Sequence, residues 1–237
     1  MTSRIFEGGH WPGRGLAALM LILALAPTST AQELQGQALV EALRGGGFNI
    51  YFRHTATNWD QTDQVDAAGD WKSCDPQRMR QLSPEGREMA QRIGAAIAAL
   101  RVPVAKVLSS EYCRAAETGK LLGLGPVTQT PDIVNLRSAE YAGGNEAAVR
   151  RAQLVLSQSP PMGANTVIVG HGNLMSAATG VTAEEGGSAV YMPASGSDRG
   201  FVLVARLTAD DWEKLAAEFA GTDWRTRLTG SSSAEPS

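Results

Sequence analysis

Residues 48–60, FNIYFRHTATNWD, decide how the chain is read. The apolar run 48–52 has the length and composition of a buried strand. It stops on Arg53-His54 and opens into Thr55, Thr57, Asn58 and Asp60. That combination suits an oxyanion at a strand end. A guanidinium forks onto phosphate oxygens, and an imidazole can attack or shuttle a proton. A surface arginine beside a hydrogen-bonded histidine explains the same residues, so the reading needs support from the rest of the chain.

Upstream, 32–44 reads as a lead-in helix that Gly45-Gly46-Gly47 breaks before the strand. Downstream, 61–81 is polar, rich in Asp and interrupted by Gly69 and Pro76, a long surface loop of the kind that covers a site. Ser83-Pro84-Glu85 then starts a helix with cap, fixed-φ proline and first-turn acid in order. Met89, Ile93, Ala96, Ile97 and Leu100 form its apolar face. A second strand is predicted over 104–108, with Ser109-Ser110 capping a helix that carries Cys113, Arg114 and Thr118 to about 122. A third strand is predicted over 131–134, a helix over 145–156 and a fourth strand over 166–169, running into Gly170-His171-Gly172-Asn173. A short helix over 174–179 stops at Gly180. Segments 189–192 and 201–207 form a closing hairpin, and 209–219 is a last helix. Strands alternating with helices predict an α/β domain with a mainly parallel sheet.

In such sheets ligands bind beyond the carboxyl ends of the strands. The chain after residue 31 has two histidines, His54 and His171, and each follows an apolar strand directly. Arg114 opens the helix after another strand. Two histidines and two arginines at strand ends favour a site over structural histidines.

The first 31 residues stand apart. Arg14 precedes the apolar run 16–26, and Ser29-Thr30-Ala31 offers small residues for cleavage after Ala31, the pattern of a secretory signal too short to span a bilayer. The domain is then 32–228, with a Ser/Gly-rich disordered tail over 229–237. The expected product is a secreted or periplasmic protein with no stable membrane insertion after cleavage. Of 21 basic residues Arg4 and Arg14 are lost, and of 24 acidic ones Glu7, leaving 19 against 23 and a net charge of −4. So mild a balance argues against nucleic acid or anionic membrane as partner, and any anion site must be a local concentration of arginine. Cys74 and Cys113 are the two cysteines, and an even count in an exported chain favours one disulfide over two free thiols. Two cysteines and two histidines without ligand spacing argue against a zinc site.

The residues quoted above resemble the histidine phosphatase superfamily, the phosphoglycerate mutase-like fold. Its Arg-His-Gly…Glu-Thr-x-x-Asn signature aligns with Arg53–Asp60, with Thr55 for Gly, Ala56 for Glu and Asp60 for Asn. Further blocks are Leu108-Ser109-Ser110…Arg114-Ala115…Thr118, Val167–Gly172, and the helix start at Ser83–Arg87. The pattern Arg-His-x-x-Thr is similar to that of exported members such as enzymes trimming phosphate from lipopolysaccharide sugars. The resemblance implies a three-layer α/β/α sandwich with six strands, one of them antiparallel, supplied by the closing hairpin.

It implies a phosphomonoesterase for a small phosphorylated metabolite or sugar phosphate. His54 becomes a phosphohistidine, while Arg53, Arg114 and His171 surround the phosphoryl oxygens. Thr57, Asn58 and Asn173 are expected to help bind phosphate, and Asp60 is expected on the rim. No metal or other cofactor is required, because arginines supply the positive charge. Glu185 is favoured as the general acid, with Glu184 facing solvent and Glu140 as its competitor. The other nitrogen of His54 should donate to a backbone carbonyl, leaving the attacking one neutral. Rival readings are a non-catalytic module that binds a phosphorylated ligand, a mutase, and a Cys-x5-Arg phosphatase loop from Cys74 to Arg80. The last fails on Pro76 and on the lack of a preceding strand.

Overall fold

β1 (Asn49–Arg53) is paired on both edges and buried on both faces over its first four residues, which is why its sequence shows no polar alternation. The structure, a computed structural model, describes Met1 and residues 33–220; apart from Met1, the expected leader 1–31 and tail 229–237 fall outside the described residues. The other strands are β2 (Val104–Ser110), β3 (Val127–Thr130), β4 (Asn165–Gly170), β5 (Ser188–Pro193) and β6 (Phe201–Leu207). They form one sheet in the order β3-β2-β4-β1-β5-β6. All neighbours are parallel except at β5, which runs antiparallel to both β1 and β6. The closing hairpin therefore supplies the one reversed strand.

The helices are α1 (Gly36–Gly45), α2 (Pro84–Ala99), α3 (Cys113–Leu121), α4 (Asn145–Ser157), α5 (Gly172–Thr179) and α6 (Ala209–Phe219). Successive side chains of β1 divide them into two layers. Phe52 stacks on Trp212 of α6 with ring centroids 6.0 Å apart, and α6 packs on α2 and α1. On the other face, Asn49 Nδ2 donates to the carbonyls of Leu156 and Gln158 at the end of α4, which packs on α5. Tyr51 on that face bonds the backbone of His171 through its hydroxyl. Helices on both faces of a mainly parallel sheet make a three-layer α/β/α sandwich.

Ser83 caps α2 as expected, its Oγ accepting from Gly86 N at 3.1 Å. Ile93, Ala96, Ile97 and Leu100 of the expected face are buried, and Met89 packs against the core at its edge. Three expectations are corrected. The third strand is Val127–Thr130 and not 131–134. Its residues VTQT carry no apolar run because it is the sheet's edge, while Pro131, lacking an N–H for the ladder, begins a 3-10 turn. Ser109 and Ser110 stay in β2 and do not cap α3, whose N-cap is Tyr112. The loop 61–81 is anchored, with Trp71 and Met79 buried and Cys74 bonded to Cys113 at a Cα separation of 5.3 Å. It forms a fixed wall and not a free-standing cover. The disulfide also leaves Cys74 no thiol, which removes the Cys-x5-Arg reading.

Candidate active site

Register brings the site together. Arg53 lies opposite Gly170, and Ser109 opposite Val169, so the carboxyl ends of β1, β4 and β2 share one edge. Because β5 is reversed, its start meets the same edge, where Phe52 faces Ser188. The turn before β5 closes on β1: Gly186 N donates to His54 O at 3.1 Å, and Arg53 N donates to Gly187 O at 3.0 Å. Gly186 has φ +81, and a Cβ there would lie 2.4 Å from Met89 Sδ, so the close approach needs glycine.

A cavity of about 360 Å3 opens beyond these ends, lined by Arg53, His54, Asp63, Arg80, Arg114, Arg137, His171 and Asn173 among others. Its floor is deep, with His54, His171 and Arg114 between 1% and 2% exposed. His54 Nδ1 lies 3.0 Å from Thr55 O, so the proton sits on Nδ1 and Nε2 keeps its lone pair. Nε2 accepts from Arg114 Nε at 3.2 Å. Burial, then Arg114, then Arg53 and Arg80 hold the His54 pKa well below its ordinary value, with the Thr55 carbonyl opposing them.

His171 lies beside it. Its Nε2 is 2.8 Å from Ser110 Oγ, which itself accepts from Tyr112 N. The hydroxyl can give its hydrogen to Nε2 or accept the ring's. Nδ1 is buried and has no partner among the described residues. Burial first, then Arg114 and His54, push the His171 pKa well below its usual range. The His54 and His171 rings meet edge-on with centroids 5.5 Å apart.

Arg114 is fixed on every side. Its Nη1 and Nη2 each donate to one oxygen of Asp63 at 3.0 Å, and its guanidinium lies 4.5 Å from the Tyr112 ring centroid. Asp63 comes from the disulfide-anchored loop. Thr55, where the family signature has glycine, is buried and turned away from the cavity. Its N–H donates to Thr118 Oγ1 of α3, and Thr118 in turn donates to Arg114 O. The Thr55 side chain adds a contact that glycine could not, its Oγ1 lying 3.2 Å from Thr118 Oγ1, and so ties the end of β1 to the helix that carries Arg114.

The structure brings Arg53, His54, Arg114, His171 and Asn173 to one cavity and sets the other expected residues elsewhere. Asn173 Nδ2 donates to Asn135 Oδ1 at 2.8 Å on the cavity wall. Glu185 does not line it. Its carboxylate accepts from Thr57 N, Thr57 Oγ1 and Arg53 Nη2 at 3.2, 2.8 and 3.4 Å, behind Arg53. Thr57 and Asn58 line a neighbouring cavity of about 790 Å3 with Asp60 and Cys74. Glu140 and Glu184 are exposed. Gly172, the first residue of α5, lines the site, and a Cβ there would lie 3.0 Å from Arg53 Cδ.

Asp63, Arg80, Ser110 and Arg137 were not anticipated at the site. Asp63 and Arg80 lie in a loop without periodicity, and Arg137 in a 3-10 turn (Leu136–Ala142). A local signal existed for Ser110 alone, two residues beyond the predicted strand on the same edge as His171. Among the described residues no group of three or more His, Cys, Asp or Glu is placed to hold a metal ion.

Residues 50–161 match the family described as Histidine phosphatase superfamily (branch 1). Comparison with curated proteins finds no match. Among solved structures, the chain is similar to the protein histidine phosphatase SixA complexed with tungstate, at 14% identity and TM-score 0.47, covering 69% of this chain and 98% of that one. It is similar to a phosphoserine phosphatase mutant from Entamoeba histolytica at 12% identity and TM-score 0.47, with the same coverage of 69% and 98%. A mycobacterial glucosyl-3-phosphoglycerate phosphatase aligns at 17% identity and TM-score 0.46, covering 66% and 96%. His54, Arg114 and the newly placed Asp63, Arg80 and Arg137 all fall inside the matched stretch. Over residues 50–161, from the first strand to the loop before β4, the chain carries the pattern of the histidine phosphatase superfamily, branch 1.

Proposed function

We propose that the protein is a phosphomonoesterase that hydrolyses a small phosphorylated metabolite or sugar phosphate through a phosphohistidine on His54. The observation that carries this reading is a buried imidazole with its proton assigned to Nδ1 and its Nε2 facing arginine. Nε2 attacks phosphorus in line, and the bond to the leaving oxygen breaks with its electrons on that oxygen. Arg53, Arg114, His171 and the start of α5 surround the phosphoryl oxygens with groups that are already positioned. Water then attacks phosphorus and gives a proton to the carboxylate that protonated the leaving oxygen, while the P–N bond breaks and its electrons return to Nε2. Positive charge comes from arginine, so no step calls for a metal.

Two carboxylates compete for the proton the leaving oxygen needs. Glu185, surrounded by donors behind Arg53, is suited to orient Arg53 and the Thr57 backbone. Asp63 lines the cavity, and its Oδ2 is held by Arg114 Nη2. Of the two carboxylates it alone lines the cavity into which the leaving oxygen must depart. We therefore assign Asp63 as the acid and Glu185 as a positioning residue.

Export is part of the proposal. The Cys74–Cys113 bond suits an oxidising compartment, and the 1–31 pattern supplies the route. Mass spectrometry of protein from the native host should find a mature N-terminus at Gln32. For the chemistry, purified protein should turn over p-nitrophenyl phosphate and be trapped with an acid-labile, base-stable phosphate. His54→Ala should abolish both. Tight phosphate binding with no turnover by the wild type would instead identify a non-catalytic binding module.

A further inference from the structure

Two of the four arginines that line the cavity have no work in that mechanism. Arg53 faces Glu185 and Arg114 faces Asp63, so each already has a carboxylate partner. The side chains of Arg80 and Arg137 make no hydrogen bond or ion pair with any described residue. Arg80 Nε is buried without a partner, and its guanidinium lies 4.0 Å from the ring centroid of Trp59. A guanidinium at a cavity wall without a hydrogen-bond partner leaves its remaining N–H groups to a ligand.

Depth separates these arginines from the floor. His54, His171 and Arg114 are almost wholly buried, whereas Trp59 is 66% exposed and Arg137 is exposed. Arg80 and Arg137 therefore flank the mouth, where the leaving group of a substrate attacked at His54 must lie. Both reach it from fixed segments. Arg80 N donates to Asp63 Oδ1 at 3.0 Å, and Arg137 N donates to Asn135 Oδ1 at 3.0 Å. Asn135 also binds Asn173 of the cavity wall. A cavity of this size falls among small-ligand sites and has room beyond a single phosphoryl group. Stacking on Trp59 holds the Arg80 guanidinium in one plane, and planar forks recognise oxyanions through paired N–H groups.

We propose that the substrate carries a second oxyanion, phosphoryl or carboxylate, on its leaving group, and that Arg80 and Arg137 bind it at the cavity mouth. This rests on the phosphatase reading for the placement of the reacting group. It selects bisphosphates and phosphorylated acids over phosphate esters of neutral alcohols.

Three non-hydrolysable probes that share one phosphonate test it by calorimetry on the purified protein: methylphosphonate, methylenediphosphonate and phosphonoacetate. The wild type should bind at least one of the two-anion probes roughly 30-fold more tightly than methylphosphonate. Methylenediphosphonate alone identifies a second phosphoryl, phosphonoacetate alone a carboxylate, and both together a site for either. In Arg80→Gln/Arg137→Gln that preference should fall below about 5-fold. The single Arg137→Gln, on an exposed turn, should lose part of it and guards against misfolding of the double variant. Equal affinity of the wild type for all three probes overturns the proposal. So does a uniform loss in the variants, which would move both arginines to the reacting phosphoryl. Turnover of p-nitrophenyl phosphate is scored separately: activity without two-anion preference sinks this inference alone, and preference without activity sinks the phosphatase reading alone.

Discussion

Arg114 Nε donates to His54 Nε2 across 3.2 Å, so the nitrogen that attacks in the proposed mechanism is already occupied by the group proposed to stabilise the transition state. Substrate binding and exposure of the nucleophile are then one event, because a phosphoryl oxygen must take that N–H before Nε2 is free. Arg114→Lys keeps the charge but loses the planar fork that bonds Asp63 and His54 together. It should lower kcat/KM on the order of 100-fold, most of it in kcat. A loss confined to KM would show that Arg114 serves binding alone.

The same surroundings set the pH response. Burial and the neighbouring arginines hold His54 neutral as pH falls past the ordinary histidine value of 6.5. In the proposed mechanism protonation removes the nucleophile, so the acid limb of kcat/KM should lie below pH 6.5. Stability moves the other way from that tolerance. Above pH 6.5 the two histidines are neutral folded and unfolded and contribute nothing. Below it the unfolded chain takes up protons that the native protein refuses, so unfolding becomes easier until the lowered native values are reached. Urea midpoints at pH 7.5 and 5.5 measure this, and equal midpoints would contradict it.

Leaving-group dependence separates the carboxylates. Asp63→Asn should cut turnover of alkyl phosphates about 100-fold or more and of p-nitrophenyl phosphate far less, since a phenolate departs without help. Glu185→Gln should reduce both alike, through misplacement of Arg53, and Glu140→Gln should reduce neither. If Glu185→Gln alone gives the leaving-group-dependent loss, Glu185 is the acid.

Gly172 offers a test in which activity and stability part company. Alanine is the better helix former by up to about 1 kcal/mol, but its Cβ meets Arg53 Cδ at 3.0 Å. Gly172→Ala should therefore unfold at the same or a higher temperature while losing roughly 10-fold in kcat/KM through displacement of Arg53. Unchanged activity would mean that Arg53 has slack.

The disulfide ties the site to the redox state. Cys113 immediately precedes Arg114, and Cys74 lies in the loop that supplies Asp63 and Arg80. Replacing both cysteines by serine should cost about 2–4 kcal/mol of stability. It should also lower kcat/KM more than a buried-core variant of equal destabilisation such as Leu156→Ala. Equal losses would make the bond a staple with no bearing on the site.

Much of this arrangement was legible from residue order, because strand ends in a parallel sheet share one edge whatever their separation along the chain. His54 and His171 could be paired without coordinates for that reason. What resisted reading was governed by packing. Asp63 and Arg80 owe their positions to a loop held by Trp71, Met79 and a disulfide, none of which has a period. Glu185 lay close to the inferred position but behind Arg53, a distinction of depth that linear order does not encode. Val127–Thr130 escaped because an edge strand has only one paired side and tolerates polar residues on both faces.

The position of β1 has a consequence for how the chain is made. It is the first strand among the described residues, yet both its partners, β4 and β5, begin at residue 165 or later. Until they emerge, an apolar strand stands with two bare edges, an open template for pairing with other chains. Truncations ending before residue 165 should therefore aggregate, and a holdase that covers Asn49–Arg53 should keep them soluble.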